Sequence, residues 1–195
     1  DPEHYRFKDF SGAKTHYLQV LKRMSAEAMF HLGSLYAREL KNYEKAEMYF
    51  LAALKAGYED AIVSLGFLYH YTLKDYKNAI KYYTMAVKKG EENYAAMNLG
   101  LLYQNELKDY KNAEKYYSLA VEQGDAGAMN GLAWLYFEQK IKKREALHYD
   151  RRAFEREKNI YTAHTLACIY LWNNQPDHAS QTAEEFMYDE DAYMY

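Results

Sequence analysis

Tyr36, Tyr69, Tyr103, Tyr136 and Tyr170 return at intervals of 33, 34, 33 and 34 residues. A step kept this faithfully constrains the chain to be one small unit copied end to end, because a fold built around a single core has no reason to repeat its side chains at fixed spacing. The unit reads Ala28-Met29-Phe30-His31-Leu32-Gly33-Ser34-Leu35-Tyr36, then a linker to Asn42-Tyr43, then Ala46, Tyr49-Phe50, Ala53 and Gly57. Two series of small residues keep the same step. Gly33, Gly66, Gly100, Ala133 and Ala167 mark the first half of each unit; Ala13, Ala46, Ala79, Ala113, Ala146 and Ala179 mark the second.

Apolar side chains around these small residues fall at helical spacing, Leu32, Leu35 and Tyr36 in one half and Tyr49, Phe50 and Ala53 in the other, so each unit is expected to be a helical hairpin. The only prolines are Pro2 and Pro176, which leaves the stretch between them free of the residue that forbids helix interiors. Asp9, Asn42, Asp75 and Asp109 each sit four residues before a marker alanine, where a side-chain oxygen caps the free N–H groups of a second helix. Gly57, Gly90 and Gly124 follow the second helices, where a left-handed turn ends them. The small residues are expected to let the two backbones of a hairpin approach closely, with Leu and Tyr filling the space around that contact.

A lone hairpin cannot bury both its faces, so stability has to come from stacking. The expectation is a single repeat domain over 1–195: an orphan second helix or N-terminal cap at 8–25, repeats at 26–60, 61–94, 95–125, 126–159 and 160–186, and an acidic, aromatic tail at 187–195, with about eleven helices in all.

Composition narrows function mainly by exclusion. A net charge of −3, with lysines spread along the repeats, offers no field for nucleic acid. No apolar run reaches the roughly 20 residues of a membrane-spanning helix. The seven histidines are scattered and the only cysteine is Cys168, so neither a metal cage nor an intrachain disulfide is expected. Glycine-rich phosphate loops and nucleophile elbows are missing, so no cofactor is expected and the chain reads as non-enzymatic. A single thiol fits the cytoplasm; a periplasmic or secreted location is the alternative, since the sequence starts at Asp1 rather than Met.

At Leu-Gly-x-Leu-Tyr followed by Asp-Tyr-x-x-Ala-x-x-Tyr-Tyr, the chain resembles tetratricopeptide repeats, and more closely their Sel1-like branch. The short junctions Ala53-Leu-Lys-Ala-Gly-Tyr-Glu-Asp-Ala and Ala120-Val-Glu-Gln-Gly-Asp-Ala look like Sel1-type links, whereas the linker from Tyr36 to Ala46 is close to tetratricopeptide length. The resemblance implies an all-α fold, a right-handed α-solenoid of antiparallel helical hairpins. It also implies a non-enzymatic scaffold that binds a peptide or protein segment in the groove lined by the first helices. Carried over by position, the groove residues are Arg38, Phe67, Tyr71, Asn98, Leu101, Asn105, Trp134 and Phe137. Phe67, Leu101 and Trp134 would form an apolar ladder, with Asn98 and Asn105 pinning a peptide backbone. Packing of the same side chains into the core is the competing expectation. An alternative role is that of an interaction arm of a larger multidomain protein whose activity lies elsewhere.

Charge is uneven near the end. Residues 140–158 hold eight Lys/Arg against four Asp/Glu, while residues 177–195 hold six acids and no Lys or Arg. Three uses are open for the acidic segment: folding back on the basic stretch, lying as a solvated helix face, or mediating self-association through the tail.

Overall fold

A computed structural model describes residues 26–90 and 92–191, together with residues 12, 14, 15, 17 and 18. Among the described residues from Ala26 on, ten helices follow one another in pairs, and no strand occurs among the described residues. The first hairpin is α1 (Ala26–Arg38) and α2 (Tyr43–Lys55). In the second, α3 (Ala61–Phe67) runs on as a π-helical stretch, Leu68–Leu73, before α4 (Tyr76–Lys88). In the third, α5 (Glu92–Leu101) runs on in the same way through Leu102–Glu106 before α6 (Tyr110–Glu122). The fourth is α7 (Ala126–Glu138) with α8 (Lys143–Arg156), and the fifth is α9 (Ile160–Trp172) with α10 (Pro176–Asp191). This is the all-α hairpin-repeat architecture that the sequence predicts. The expected extra helix at 8–25 lies largely outside the described residues, as do Asp9 and Ala13; Gly12, Lys14, Thr15, Tyr17 and Leu18 are helical. Contacts divide the chain into two compact units, Asp1–Ala86 and Val87–Tyr195.

The helix ends are built as the sequence predicts. Asn42 Oδ1 accepts from the Lys45 amide at 3.0 Å, Asp75 Oδ1 from the Asn78 amide at 3.1 Å, and Asp109 Oδ1 from the Asn112 amide at 3.1 Å. Each such cap is worth about 1 kcal/mol. Gly57, Gly90 and Gly124 take φ values of 91°, 93° and 84°, the left-handed region that a side chain resists. A second left-handed series carries no glycine: Lys41, Lys74 and Lys108, at φ 51°, 55° and 54°, stand directly before the caps. There the cap amide turns back to the recurring tyrosine, with Asn42 donating to the Tyr36 carbonyl, Asp75 to Tyr69 and Asp109 to Tyr103, each at 2.9 Å.

Three of the small residues, Gly33, Gly66 and Gly100, make room for an aromatic ring of the second helix. A Cβ placed on Gly33 would meet the Phe50 ring at 2.7 Å, one on Gly66 the Tyr83 ring at 2.5 Å, and one on Gly100 the Tyr117 ring at 2.4 Å. An aromatic ring of the second helix therefore packs directly on the first helix at each of these positions, and glycine is required because the ring occupies the place of the side chain. Three of the recurring tyrosines are fixed by stacking on a tyrosine of the second helix. Tyr36 pairs with Tyr49 and Tyr69 with Tyr82 in the first unit, and Tyr103 pairs with Tyr116 in the second, all at 5.5 Å between centroids. Hydroxyls link successive hairpins: Tyr69 donates to Glu47 within the first unit, and Tyr136 donates to Glu114 at 2.9 Å within the second. Burial and the adjacent carboxylate push the Tyr136 phenol up to about 12, so it stays a donor at neutral pH.

Replacing a mid-helix glycine by alanine ordinarily stabilises by up to about 1 kcal/mol. For Gly66→Ala the sign should reverse, with a loss of about 1–3 kcal/mol in urea unfolding as the Tyr83 ring is displaced. A gain in stability would show that the ring can withdraw freely.

Candidate interaction surface

In the second unit, α7 is apolar almost throughout and buries Met129, Leu132, Ala133, Leu135 and Tyr136 among others. What remains half-buried is a stripe at helical spacing, Asn130, Trp134 and Phe137. On α9 the matching stripe is His164, exposed, with Cys168 and Trp172 half-buried. The two stripes meet: ring centroids lie 5.1 Å apart for Trp134 and Phe137, 5.6 Å for Phe137 and Trp172, and 6.2 Å for Trp134 and His164. Lys143 Nζ sits 5.5 Å from the Trp172 ring. At the edge of this face, Tyr117 donates its hydroxyl proton to Gln104 Oε1 at 2.8 Å, and Gln104 Nε2 donates to Glu138 Oε2 at 2.7 Å.

The residues singled out from the sequence separate accordingly. Leu101, Trp134 and Phe137 all belong to the second unit, where Leu101, Phe137 and Trp172 pack against the same core cluster and Trp134 adjoins Phe137. Asn105 is exposed, but Asn98 is buried and donates its amide to the Tyr94 carbonyl at 2.8 Å, within its own helix. Phe67, Tyr71 and Arg38 belong to the first unit. Phe67 and Tyr71 are 44% and 39% exposed with centroids 4.4 Å apart, and Arg38 is exposed.

Beneath the second-unit face lies a carboxylate that motif reading missed. Asp150 occupies the place of Phe50, Tyr83 and Tyr117 in the repeat, and it is 0% exposed. Oδ1 accepts from Asn130 Nδ2 at 2.8 Å, while Oδ2 has no hydrogen-bond partner. Burial pushes this carboxyl up to about 8, the Asn130 hydrogen bond opposing the shift, so the group is protonated at neutral pH. The signal was present in the register: an acid standing where three units carry a ring. Nearby, Cys168 Sγ lies 3.8 Å from His164 Nε2. Burial and the charge of Asp150 push the thiol up, the reverse of what an activated nucleophile needs. Among the described residues, no three His, Cys, Asp or Glu side chains gather to hold a metal ion, and no helix is long and apolar enough to cross a membrane.

This combination of repeated antiparallel helical hairpins and a partly exposed face on the first helices defines a helical-repeat protein. The sequence profile of the tetratricopeptide repeat matches residues 2–61 and 66–127, and the chain belongs to the tetratricopeptide repeat family. A search of curated proteins gave no significant match. Among solved structures, a Sel1 repeat protein from Oxalobacter formigenes is similar at 24% identity and TM-score 0.67, over 89% of this chain and 75% of that one. BtubC from P. vanneervenii is similar at 18% identity and TM-score 0.75, over 95% and 92%. Yeast Tom70 is similar at 19% identity and TM-score 0.72, over 93% of this chain but only 40% of its own length. The fold is thus the tetratricopeptide and Sel1-like hairpin repeat, a type that generally serves as a non-enzymatic scaffold with protein partners.

Asp150 generates a pH dependence with a definite sign. Its folded-state value, about 8, lies above the ordinary 3.8. Its contribution to stability is therefore complete below about pH 4 and is lost as pH rises through 8. Unfolding of the native chain and of Asp150→Asn, compared at each pH, should show a difference that grows in favour of the variant by up to roughly 1.4 kcal/mol per pH unit between pH 5 and 8, then levels off. Parallel curves would mean the carboxyl finds a partner or water in solution.

Proposed function

We propose that the chain is a protein-interaction scaffold that binds a peptide or protein segment bearing apolar or aromatic side chains along the face of its first helices. The observation that carries this reading is the joined aromatic face of the second unit, Trp134, Phe137 and Trp172. These rings contact one another yet stay partly open to solvent. Partly exposed tryptophans with a rigid surround are the side chains that dominate protein interfaces, typically at 2 kcal/mol or more each. Asn105 and Glu138 add exposed polar groups that can engage a peptide backbone, and Phe67 with Tyr71 offers a smaller aromatic face on the first unit. A clamp for a terminal carboxylate does not suit this chain, because Arg38 is essentially the only cation that the first helices bring to their groove positions.

The test is selection of peptides from a displayed library on the intact chain, followed by titration of the recovered peptides against the native protein and a Leu101→Ala, Trp134→Ala variant. The variant is expected to keep its far-ultraviolet helical signal and to lose at least about thirtyfold in affinity, the equivalent of one interface hot spot. Undiminished binding by the double variant rejects the groove assignment.

A further inference from the structure

One face of α8 is rich in basic side chains, with Glu155 as the acid that lines the same recess. Arg144, His148, Arg151 and Arg152 recur at helical spacing over about 12 Å of helix. Arg144, His148 and Arg151 are exposed and Arg152 is half-buried. With Leu147 and Glu155 they line a recess of about 400 Å³. Among the described residues, none of the three arginines makes an ion pair. A second recess of about 290 Å³ adjoins the first, sharing Arg151 and Glu155, and it is walled by α8 and α10 over Phe154, Leu166 and Tyr170. Aromatic and aliphatic side chains therefore lie beside a recess where three arginines outnumber Glu155. The complement of such a surface is a short segment that carries aromatic rings and carboxylates together.

The chain contains such a segment, Phe186-Met187-Tyr188-Asp189-Glu190-Asp191-Ala192-Tyr193-Met194-Tyr195. As far as Asp191, its own α10 does not bring it to that basic face. Lys158 and Glu185 pair at 2.7 Å near the C-terminal ends of α8 and α10, and α10 continues from there to Asp191. Asp191 thus lies about 9 Å further along the helix, away from Arg144 and Arg151. We propose that the α8 face is the dock for the acidic, aromatic C-terminal segment of a second copy of this chain, a contact separate from the groove of the first helices. Reciprocal exchange of two segments closes a dimer.

Sedimentation velocity on the full chain tests this. The expected result is a concentration-dependent dimer that weakens with added salt. Both the Arg144→Glu, Arg151→Glu variant and the Asp189→Lys, Glu190→Lys, Asp191→Lys variant should weaken it at least about tenfold, since each places like charges opposite one another. Mixing the two variants should restore association, because the reversed tail then meets the reversed face; this rescue also separates a docking defect from a folding defect. A labelled peptide of residues 187–195 should bind the native chain and not the arginine variant. Monomer at all concentrations with no peptide binding, dimers indifferent to both variants, or failure of the mixture to associate would each overturn the proposal. So would binding of a single-stranded RNA oligonucleotide at this face in place of the peptide.

Discussion

The contact on which each of the first three hairpins depends is an aromatic ring from the second helix pressed on a glycine of the first. Phe50 on Gly33, Tyr83 on Gly66 and Tyr117 on Gly100 repeat it, and Tyr117 also closes on Gly131 of the next hairpin. A ring in that position does two things at once. It fixes the distance between the helices of a hairpin, and in the case of Tyr117 it joins one hairpin to its successor. Stability in such arrays is a sum of neighbour interfaces, so a recurring ring is an economical way to make every interface alike. One turn further along the first helix, the stacked tyrosine pairs at 5.5 Å hold the same two helices in the same repeated manner.

Against that background the fourth and fifth hairpins differ: the fifth carries Ala167 and Glu184 at these positions, and in the fourth the change is buried. Ala133 replaces the glycine, and Asp150 replaces the ring with a buried carboxyl that has one hydrogen-bonded oxygen and one without a partner. An acid so placed keeps its proton at neutral pH, because the charged form would lose its hydration. The same region carries Trp134, Phe137 and Trp172 at its surface. The buried acid and the joined aromatic face therefore lie in the same part of the second unit. Departure from local consistency is common at functional positions, where packing gives way to another requirement.

Much of this was legible in the sequence. The 33–34-residue return of tyrosine, the Asn and Asp caps and the helix-ending glycines each follow from a residue type with one strong local preference. What escaped reading depended on partners distant in sequence. Asp150 sits among Arg151, Arg152 and Lys143 in a charge-rich stretch that resembles a solvated helix, and only its register against Phe50, Tyr83 and Tyr117 betrays burial. Asn98 has the composition of a groove residue but turns its amide to the Tyr94 carbonyl. The left-handed lysines before the caps offered no signal either, since lysine has no preference for that conformation.

Both tryptophans of the chain, Trp134 and Trp172, belong to the aromatic face of the second unit, so selectively excited tryptophan fluorescence reports on that face. The decisive measurement is tryptophan emission and its quenching by acrylamide before and after addition of a tryptophan-free binding peptide. A binding face predicts a blue shift and loss of quenching at saturation. Emission and quenching unchanged by a peptide that demonstrably binds would place recognition elsewhere and contradict the account.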